Sequence, residues 1–375
     1  MFSSADWFDA GRQLYAACSY YRPSGRIWPP LRVIIEPTYR CNCRCPFCYV
    51  EDHSGAGELT TEQWLGIIAQ VPRYAFISFE GGEVTLRRDF FELLRFCRQR
   101  VWGKVNVLTN GTALSPERTE MLAAEPPLVV SVSLDGTEAV HDSLRGPGSF
   151  AKSWDTLERI AHLRRRHWAR WPWIDVKLVL LPQNVSVLPE LFEKCGRLGA
   201  EYFSISLRND HHLKQNAHLR AELGSEFTEK AYPLAPYFDM CAFERSMRAL
   251  HELRQRYKTA VRWAPKFGYK KRAALGGKRW EGSQTQSEFE QIARFLQGGA
   301  LPLGQLYKPC LFPYANLFIN PQGDVYPCLS VCWGNAVRQP LAEIYNGAAA
   351  CQFRRCLRRA GVFPACQLCC EAVPR

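Results

Sequence analysis

From residue 32 onward, apolar runs of strand length alternate with longer stretches whose apolar positions recur every three or four residues. The runs at 32–36, 74–79, 104–108, 128–134, 175–181 and 202–207 are rich in Val, Ile, Leu and Phe and predict strands. Between them, 60–71, 87–100, 115–124, 150–167 and 184–199 have helical periodicity and enough length to cross back over a sheet. Six such units in series predict parallel strands with right-handed crossovers that close part of the way round. The expected fold is α/β: a partial (β/α)6 TIM-like barrel over 31–208, with its chemistry at the C-terminal strand ends.

The flanks read differently. Residues 1–30 form an amphipathic extension, with Trp7, Phe8, Leu14 and Tyr15 at roughly helical spacing. Over 209–307 the pattern weakens to a bridging segment, in which a helix-like stretch at 238–257 gives way to a basic run at 266–279. Residues 308–375 hold two strand-like pieces, 315–320 and 324–327, joined by the turn signal Pro321-Gln322-Gly323. This cysteine-rich end is expected to be a small domain held by metal rather than by a core.

At 375 residues, 47% of them hydrophobic, the chain suits a large domain plus an appendix. It has neither a secretory signal nor a run of about 18 apolar residues that would span a membrane, so a cytoplasmic location is expected. Sixteen cysteines, twelve of them grouped at 41–48 and from Cys310 to Cys370, fit metal binding in a reducing compartment better than a disulfide framework. The net charge of +12 does not choose between an acidic partner and simple dispersal. An Arg- and Trp-rich run at 162–173 could suggest nucleic acid or a membrane surface, but it falls in a helix-to-strand loop at the barrel's bottom. A solvated helix end is the better reading, and no nucleic-acid partner is expected.

The run Cys41-Asn42-Cys43-Arg44-Cys45-Pro46-Phe47-Cys48 follows the first strand, on the expected active face. Cys41, Cys45 and Cys48 can converge on one cubane and leave its fourth iron open, whereas Cys43 competes for the assignment. Zinc with a remote fourth ligand is the competing use of such spacing. The spacing Cx3CxΦC, with Phe47 in the aromatic place, resembles the radical S-adenosylmethionine (SAM) superfamily.

That resemblance assigns a role to each later strand end. Phe47 would lie beside adenine, and Gly81, Gly82 and Glu83 resemble the motif that holds the methionyl amino group. Thr109 and Asn110 after the third strand, and Ser133 and Asp135 after the fourth, would reach the ribose and methionyl groups, and Arg145 the carboxylate. The implied cofactors are a [4Fe–4S] cluster with an open iron and SAM, which together yield a 5′-deoxyadenosyl radical that takes a hydrogen atom from substrate.

Cys310-x12-Gly323-x4-Cys328, followed by Cys366 and Cys369, resembles the auxiliary-cluster region called SPASM, or twitch in its shortened form. The resemblance implies one auxiliary [4Fe–4S] cluster on Cys310, Cys328, Cys366 and Cys369, with Cys370 competing for the last place. Zinc on the same four residues is the competing assignment, and Cys332, Cys351 and Cys356 read as free thiols.

The expected activity is therefore that of a radical SAM enzyme performing an oxidation or bond formation on a small molecule. Maturation of a ribosomally made peptide is the alternative. Only 40 residues precede Cys41, less than the peptide-recognition domain that many peptide-modifying relatives carry, which tilts the expectation toward a small substrate or a separate recognition protein. Flavodoxin or ferredoxin would supply electrons. Asp210, His211 and His212, after the sixth strand, are candidate catalytic residues, and the basic run at 266–272 is a candidate for an acidic substrate or leader, although a solvated loop is the simpler reading.

Overall fold

The computed structural model describes residues 4–102, 105–124, 127–166, 172–207, 239–264, 292, 307–328, 331–363, 366, 369 and 371–373. After helix α1 (Ser4–Tyr20), β1 (Arg32–Ile35) begins a regular alternation. It continues α2 (Thr61–Ile68), β2 (Phe76–Phe79), α3 (Phe90–Arg100), β3 (Val105–Thr109), α4 (Pro116–Ala124) and β4 (Val129–Ser133). Two helices, α5 (Glu138–Arg145) and α6 (Ser149–Arg166), precede β5 (Trp173–Leu180), and α7 (Leu188–Leu198) precedes β6 (Tyr202–Leu207). Local chemistry sets several boundaries. Thr60 and Gln63 form a reciprocal capping box on α2, and Gly199 ends α7 in the left-handed conformation.

Strands β1 to β6 pair in parallel in chain order, as the partial barrel requires. Two features differ from the sequence expectation. Helix α5 is an addition, ending on Arg145 and capped by Gly146 at φ 109°. Within the bridging segment, α8 (Met240–Arg256) leads to a further strand, β7 (Ala260–Ala264), which pairs in parallel with β6. Its Ala-Val-Arg-Trp-Ala sequence is too short and mixed to stand out as a strand.

The C-terminal region differs more. Its hairpin, β8 (Asn316–Ile319) and β9 (Asp324–Tyr326), is antiparallel as expected, with Gly323 at φ 83° in the turn. Strand β8 also pairs in parallel with β1, Arg32 opposite Asn316 and Ile35 opposite Ile319. With β10 (Gly334–Asn335) added, one ten-stranded sheet runs β10-β9-β8-β1-β2-β3-β4-β5-β6-β7. The first strand of an open barrel is an edge with unpaired backbone groups, and the hairpin supplies their partners. Leu317, Ile319, Val325, Phe353 and Phe363 belong to the same apolar cluster as the barrel core. This end of the chain thus packs onto the apolar core of the barrel, where the sequence suggested a small domain held by metal rather than by a core.

Helices α9 (Leu341–Tyr345) and α10 (Ala348–Ala360) cover that core. Beneath them Arg354 is fully buried: Nε donates to Pro313 O at 2.8 Å, and Nη1 donates to Tyr345 O at 2.7 Å and Gly25 O at 3.1 Å. Its guanidinium lies 4.5 Å from the Trp333 ring centroid, and burial pulls its pKa down to about 10.

On three barrel strands residues largely alternate between buried and half-exposed: Asn106 and Leu108 on β3, Trp173, Lys177 and Val179 on β5, and Tyr202, Ser204 and Ser206 on β6 are the half-exposed set. The period of two places helices against one face and a largely polar chamber on the other. Asp175, on the chamber side, is nonetheless buried, accepting from Ser131 Oγ at 3.0 Å and Ser204 Oγ at 2.7 Å. At the bottom of this sheet Arg164 pairs with Glu201 at 2.8 Å and donates to Pro172 O and Gly199 O. That residue of the Arg/Trp run is therefore occupied by structure; positions 167–171 lie outside the described residues.

Candidate active site

The cysteine loop is clamped from below by the turn that ends β2. Gly81 has φ 118°, a left-handed conformation that favours glycine. A Cβ on Gly82 would stand 2.4 Å from Arg40 O and 2.6 Å from Tyr39 O, so only glycine admits this approach. Gly82 N donates to Thr38 O at 2.9 Å and Glu83 N to Arg40 O at 2.8 Å, fixing the backbone just ahead of Cys41.

A second anchor is Glu36, just beyond β1, which accepts from Tyr39 Oη at 2.9 Å and from Tyr49 Oη, next to Cys48. Burial pushes the Glu36 carboxyl up to about 7, against the two hydroxyls that favour its charged form.

Glu83 is fully buried. Its carboxylate accepts from Thr109 Oγ1 at 2.7 Å, Asn110 N at 2.6 Å and Thr85 N at 3.1 Å, tying the ends of β2 and β3 together. Asn110 Nδ2 then faces the cysteine loop, 2.8 Å from Asn42 Oδ1, 3.5 Å from Cys43 Sγ and 3.8 Å from Cys41 Sγ. Two residues expected to touch a ligand, Glu83 and Thr109, are thus bound first to each other.

Beyond β4, Asp135 is also fully buried. Its Oδ1 accepts from Val179 N at 2.8 Å and its Oδ2 from Arg145 Nε. The pair places the Arg145 guanidinium 5.6 Å from the Phe47 ring centroid. Burial works against the Arg145 cation, but Asp135 and then Cys45 overcome it and keep the group charged. Asp135 thus orients Arg145. His141, one turn earlier on α5, accepts from Asp135 N through Nδ1 at 3.1 Å, and burial lowers its pKa to about 4. Ser133 is half-exposed on the chamber side, in register with Lys177.

The sulfur atoms respond to these neighbours. Cys41 is lowered to about 6 and Cys45 is also lowered, in each case chiefly by a hydrogen bond from Cys43, with Arg145 assisting. Cys48 is raised, chiefly by burial. Thiolates are what an iron–sulfur cluster requires, so a cation beside three convergent cysteines on one loop fits such a group. Among the described residues no three His, Cys, Asp or Glu side chains are arranged to hold a single metal ion.

The second cysteine group lies at the other edge of β1. Cys310 N donates to Gly361 O and Cys366 N to Phe363 O, which brings the tail back over the hairpin. Burial and then Cys366 raise the Cys310 pKa; burial and then Cys328 raise that of Cys366 to about 12. These three thiols are neighbours, and Cys369 N follows at 3.0 Å from Cys366 O. Cys351 is buried on α10 and Cys356 half-buried, while Cys332 Sγ donates to Gly334 O at 3.5 Å. Cys370, Asp210, His211, His212 and 266–272 lie outside the described residues.

The profile of the Radical SAM superfamily matches residues 35–195, and that of the SPASM iron–sulfur cluster-binding domain matches 310–370. Residues 35–195 of the chain form a radical SAM domain. The cofactors of this radical SAM chain are a [4Fe–4S] cluster, SAM and auxiliary iron–sulfur chemistry. It is 34% identical over 175 residues to mycofactocin maturase MftC of Mycobacterium tuberculosis, covering 46% of this chain and 43% of that protein. It therefore spans less than half the length of this curated relative. The AdoMet-dependent heme synthase of Methanosarcina barkeri is 28% identical over 329 residues, 85% of this chain and 83% of that protein. Among solved structures, Streptococcus suis SuiB bound to its precursor peptide SuiA has a TM-score of 0.62 at 17% identity, covering 92% of this chain and 70% of that one. This last likeness establishes the fold.

The sequence pattern pointed to most of the residues now gathered, but it gave no supporting role to Glu36, His141, Thr85 or Cys43. Thr85, whose N–H donates to the Glu83 carboxylate, carries no signal of its own. Cys43 did carry one, as the fourth cysteine within eight residues.

Proposed function

We propose that this radical SAM chain is a maturase that abstracts a hydrogen atom from a peptide substrate. The observation that carries the radical chemistry is the convergence of Cys41, Cys45, Cys48, Phe47 and Arg145 beside the ends of β2 and β3. Cys41, Cys45 and Cys48 would hold the cluster, and Phe47 would lie beside adenine. Arg145 would pair with the methionyl carboxylate, Glu83 and Asn110 would serve its amino end, and Ser133 would serve the ribose. When bound, the cluster and SAM together supply a 5′-deoxyadenosyl radical. The chain's own residues position that cofactor and shield it from water.

Peptide as the substrate class departs from the small-molecule expectation of the sequence. It is supported by the maturase relatives, which include PqqA peptide cyclase of Rhodopseudomonas palustris at 31% identity over 188 residues. The near end-to-end match to the heme synthase favours a second reading, a small-molecule substrate. Cys310, Cys328, Cys366 and Cys369 would hold an auxiliary cluster that takes up an electron from the product side. Flavodoxin or ferredoxin would reduce the first cluster, and a separate protein would present the peptide.

The test is anaerobic: reconstitute with iron and sulfide, reduce with dithionite, add SAM, and measure 5′-deoxyadenosine with and without a short peptide encoded beside the gene. Deoxyadenosine together with a mass change in the peptide supports the reading. An intact, reduced cluster that yields none overturns it.

A sharper expectation concerns Asp135. Asp135→Ala frees Arg145 from its buried partner and leaves Val179 N without an acceptor. SAM affinity, measured by calorimetry, should fall by at least about tenfold, equivalent to about 1.4 kcal/mol. An unchanged affinity would remove Arg145 from the SAM site.

A further inference from the structure

Residues 36–60 join β1 to α2 without a helix or strand, and they carry Cys41, Cys45 and Cys48 in their first half. A connection of that length has many conformations open to it, so a fixed arrangement of its cysteines needs ties to the rest of the fold. Glu58 ties the loop's own limbs together. Its carboxylate accepts from Thr38 Oγ1 at 2.5 Å and Tyr39 N at 3.2 Å, and pairs with Arg40 at 3.1 Å.

The base of the loop is closed by Arg87, which lies between β2 and α3 and is 9% exposed. Its Nη1 donates to Pro37 O and its Nη2 to Leu59 O, each at 2.9 Å, so one guanidinium takes a carbonyl from each end of the loop. Asp89 orients that fork, accepting from Nε at 2.7 Å and from Nη2 at 2.9 Å. Asp89 is held in turn by Thr61 Oγ1 at 2.6 Å, at the start of α2. The turn between β8 and β9 backs the returning limb: Leu59 N donates to Pro321 O and Gln322 Nε2 to Ala56 O, each at 2.9 Å.

We infer that Arg87 is a positioning residue of the first site, closing the loop of Cys41, Cys45 and Cys48 at its neck and setting it against the turn that carries Gly82 and Glu83. The inference rests on the reading of those three cysteines as cluster ligands. Glu58 joins the limbs only to each other, whereas Arg87 joins both to a point four residues beyond Glu83. Gly82 N and Glu83 N bond to the outgoing limb at Thr38 O and Arg40 O, and Arg87 adds the returning limb to the same frame. Both carbonyls that it serves are buried, so losing the donor costs more than the bond itself. Lysine keeps the charge but has no planar fork to span the two ends.

The experiment compares the full wild-type chain with Arg87→Met, Arg87→Lys and Arg88→Met, the last removing an exposed neighbour. Hydrogen exchange of peptides across 37–59 is read in the iron-free chain. In the reconstituted chain, the four-iron electron paramagnetic resonance signal that responds to SAM is followed under excess chelator, with the SAM-insensitive signal as internal reference. Arg87→Met should speed exchange in 37–59 by at least about tenfold and shorten the life of the SAM-responsive signal alone. Arg87→Lys should fall between it and wild type, and Arg88→Met should match wild type. Unchanged exchange in both Arg87 variants overturns the inference, as does equal loss of both signals, which would mark Arg87 as a general support of the fold. A wild-type chain with no SAM-responsive signal overturns instead the reading of Cys41, Cys45 and Cys48 as ligands, and exchange in the iron-free chain still decides whether Arg87 closes the loop.

Discussion

Alanine at Cys41, Cys45 or Cys48 abolishes 5′-deoxyadenosine formation, whereas alanine at Cys310 or Cys328 leaves SAM cleavage measurable and removes modified product. The contrast follows from where the two groups sit. The first three thiols share one loop, clamped by Gly82 and Glu83 and facing Arg145, and a cubane that loses one of three protein ligands loses its hold there. The second group lies across β1, on a hairpin whose backbone pairs with the barrel and whose apolar side chains join the barrel core. That part of the chain should therefore stay folded without its cluster, and its loss should be felt after hydrogen abstraction. Deoxyadenosine and product are quantified separately in each variant at measured iron content. Equal loss of cleavage in both sets would show that the auxiliary cysteines support the first site structurally.

Arg354→Leu lowers unfolding free energy by about 3 kcal/mol, while Arg355→Leu on the same helix changes it by less than about 0.5 kcal/mol. Arg354 has no exposed surface and serves three carbonyls, Pro313, Gly25 and Tyr345, drawn from three separate segments. Leucine fills much of the volume but leaves those oxygens unpaired, at about 1 kcal/mol or more each. It also removes the cation from the face of Trp333. Against this stands the relief of a buried charge that has no carboxylate partner among the described residues, which keeps the net effect near the lower bound. Arg355 donates to Ser24 O at an exposed site where water can take its place. Chemical denaturation of both variants at matched iron content measures the difference; equal midpoints would show that the three carbonyls find other donors.

The two predictions draw on different kinds of information. The cysteine prediction was largely legible in the chain because its parts are local. Strand period, loop spacing and the small residues at Gly81 and Gly82 are fixed within a few positions of one another. Phe47 and the strand-end motifs then fall on the active face because parallel strands share one direction. Arg354 carried no such signal, since an arginine on an amphipathic helix ordinarily faces water. Its burial depends on carbonyls as far away in sequence as Gly25, which only the folded chain brings near.

The same division holds at the candidate site. Arg145 was expected beside the ligand, but its partner Asp135 was expected to touch the ligand as well. Their ten-residue separation lies across a helix that the pattern did not reveal. Glu83, Thr109 and Asn110 likewise appeared as separate contacts and prove to be one hydrogen-bonded group.

By itself, the sequence determined the strand order of the barrel, the loop that carries Cys41, Cys45 and Cys48, and the presence of a second cysteine group. Periodicity and spacing are properties of neighbouring residues, so these survive without coordinates. Tertiary structure alone decided that β8 completes the edge of β1, that Asp135 holds Arg145, that Cys43 turns inward, and that Arg354 is a buried post. Each of these satisfies a backbone edge, a charge or a polar atom with a partner distant in sequence, and only folding selects that partner.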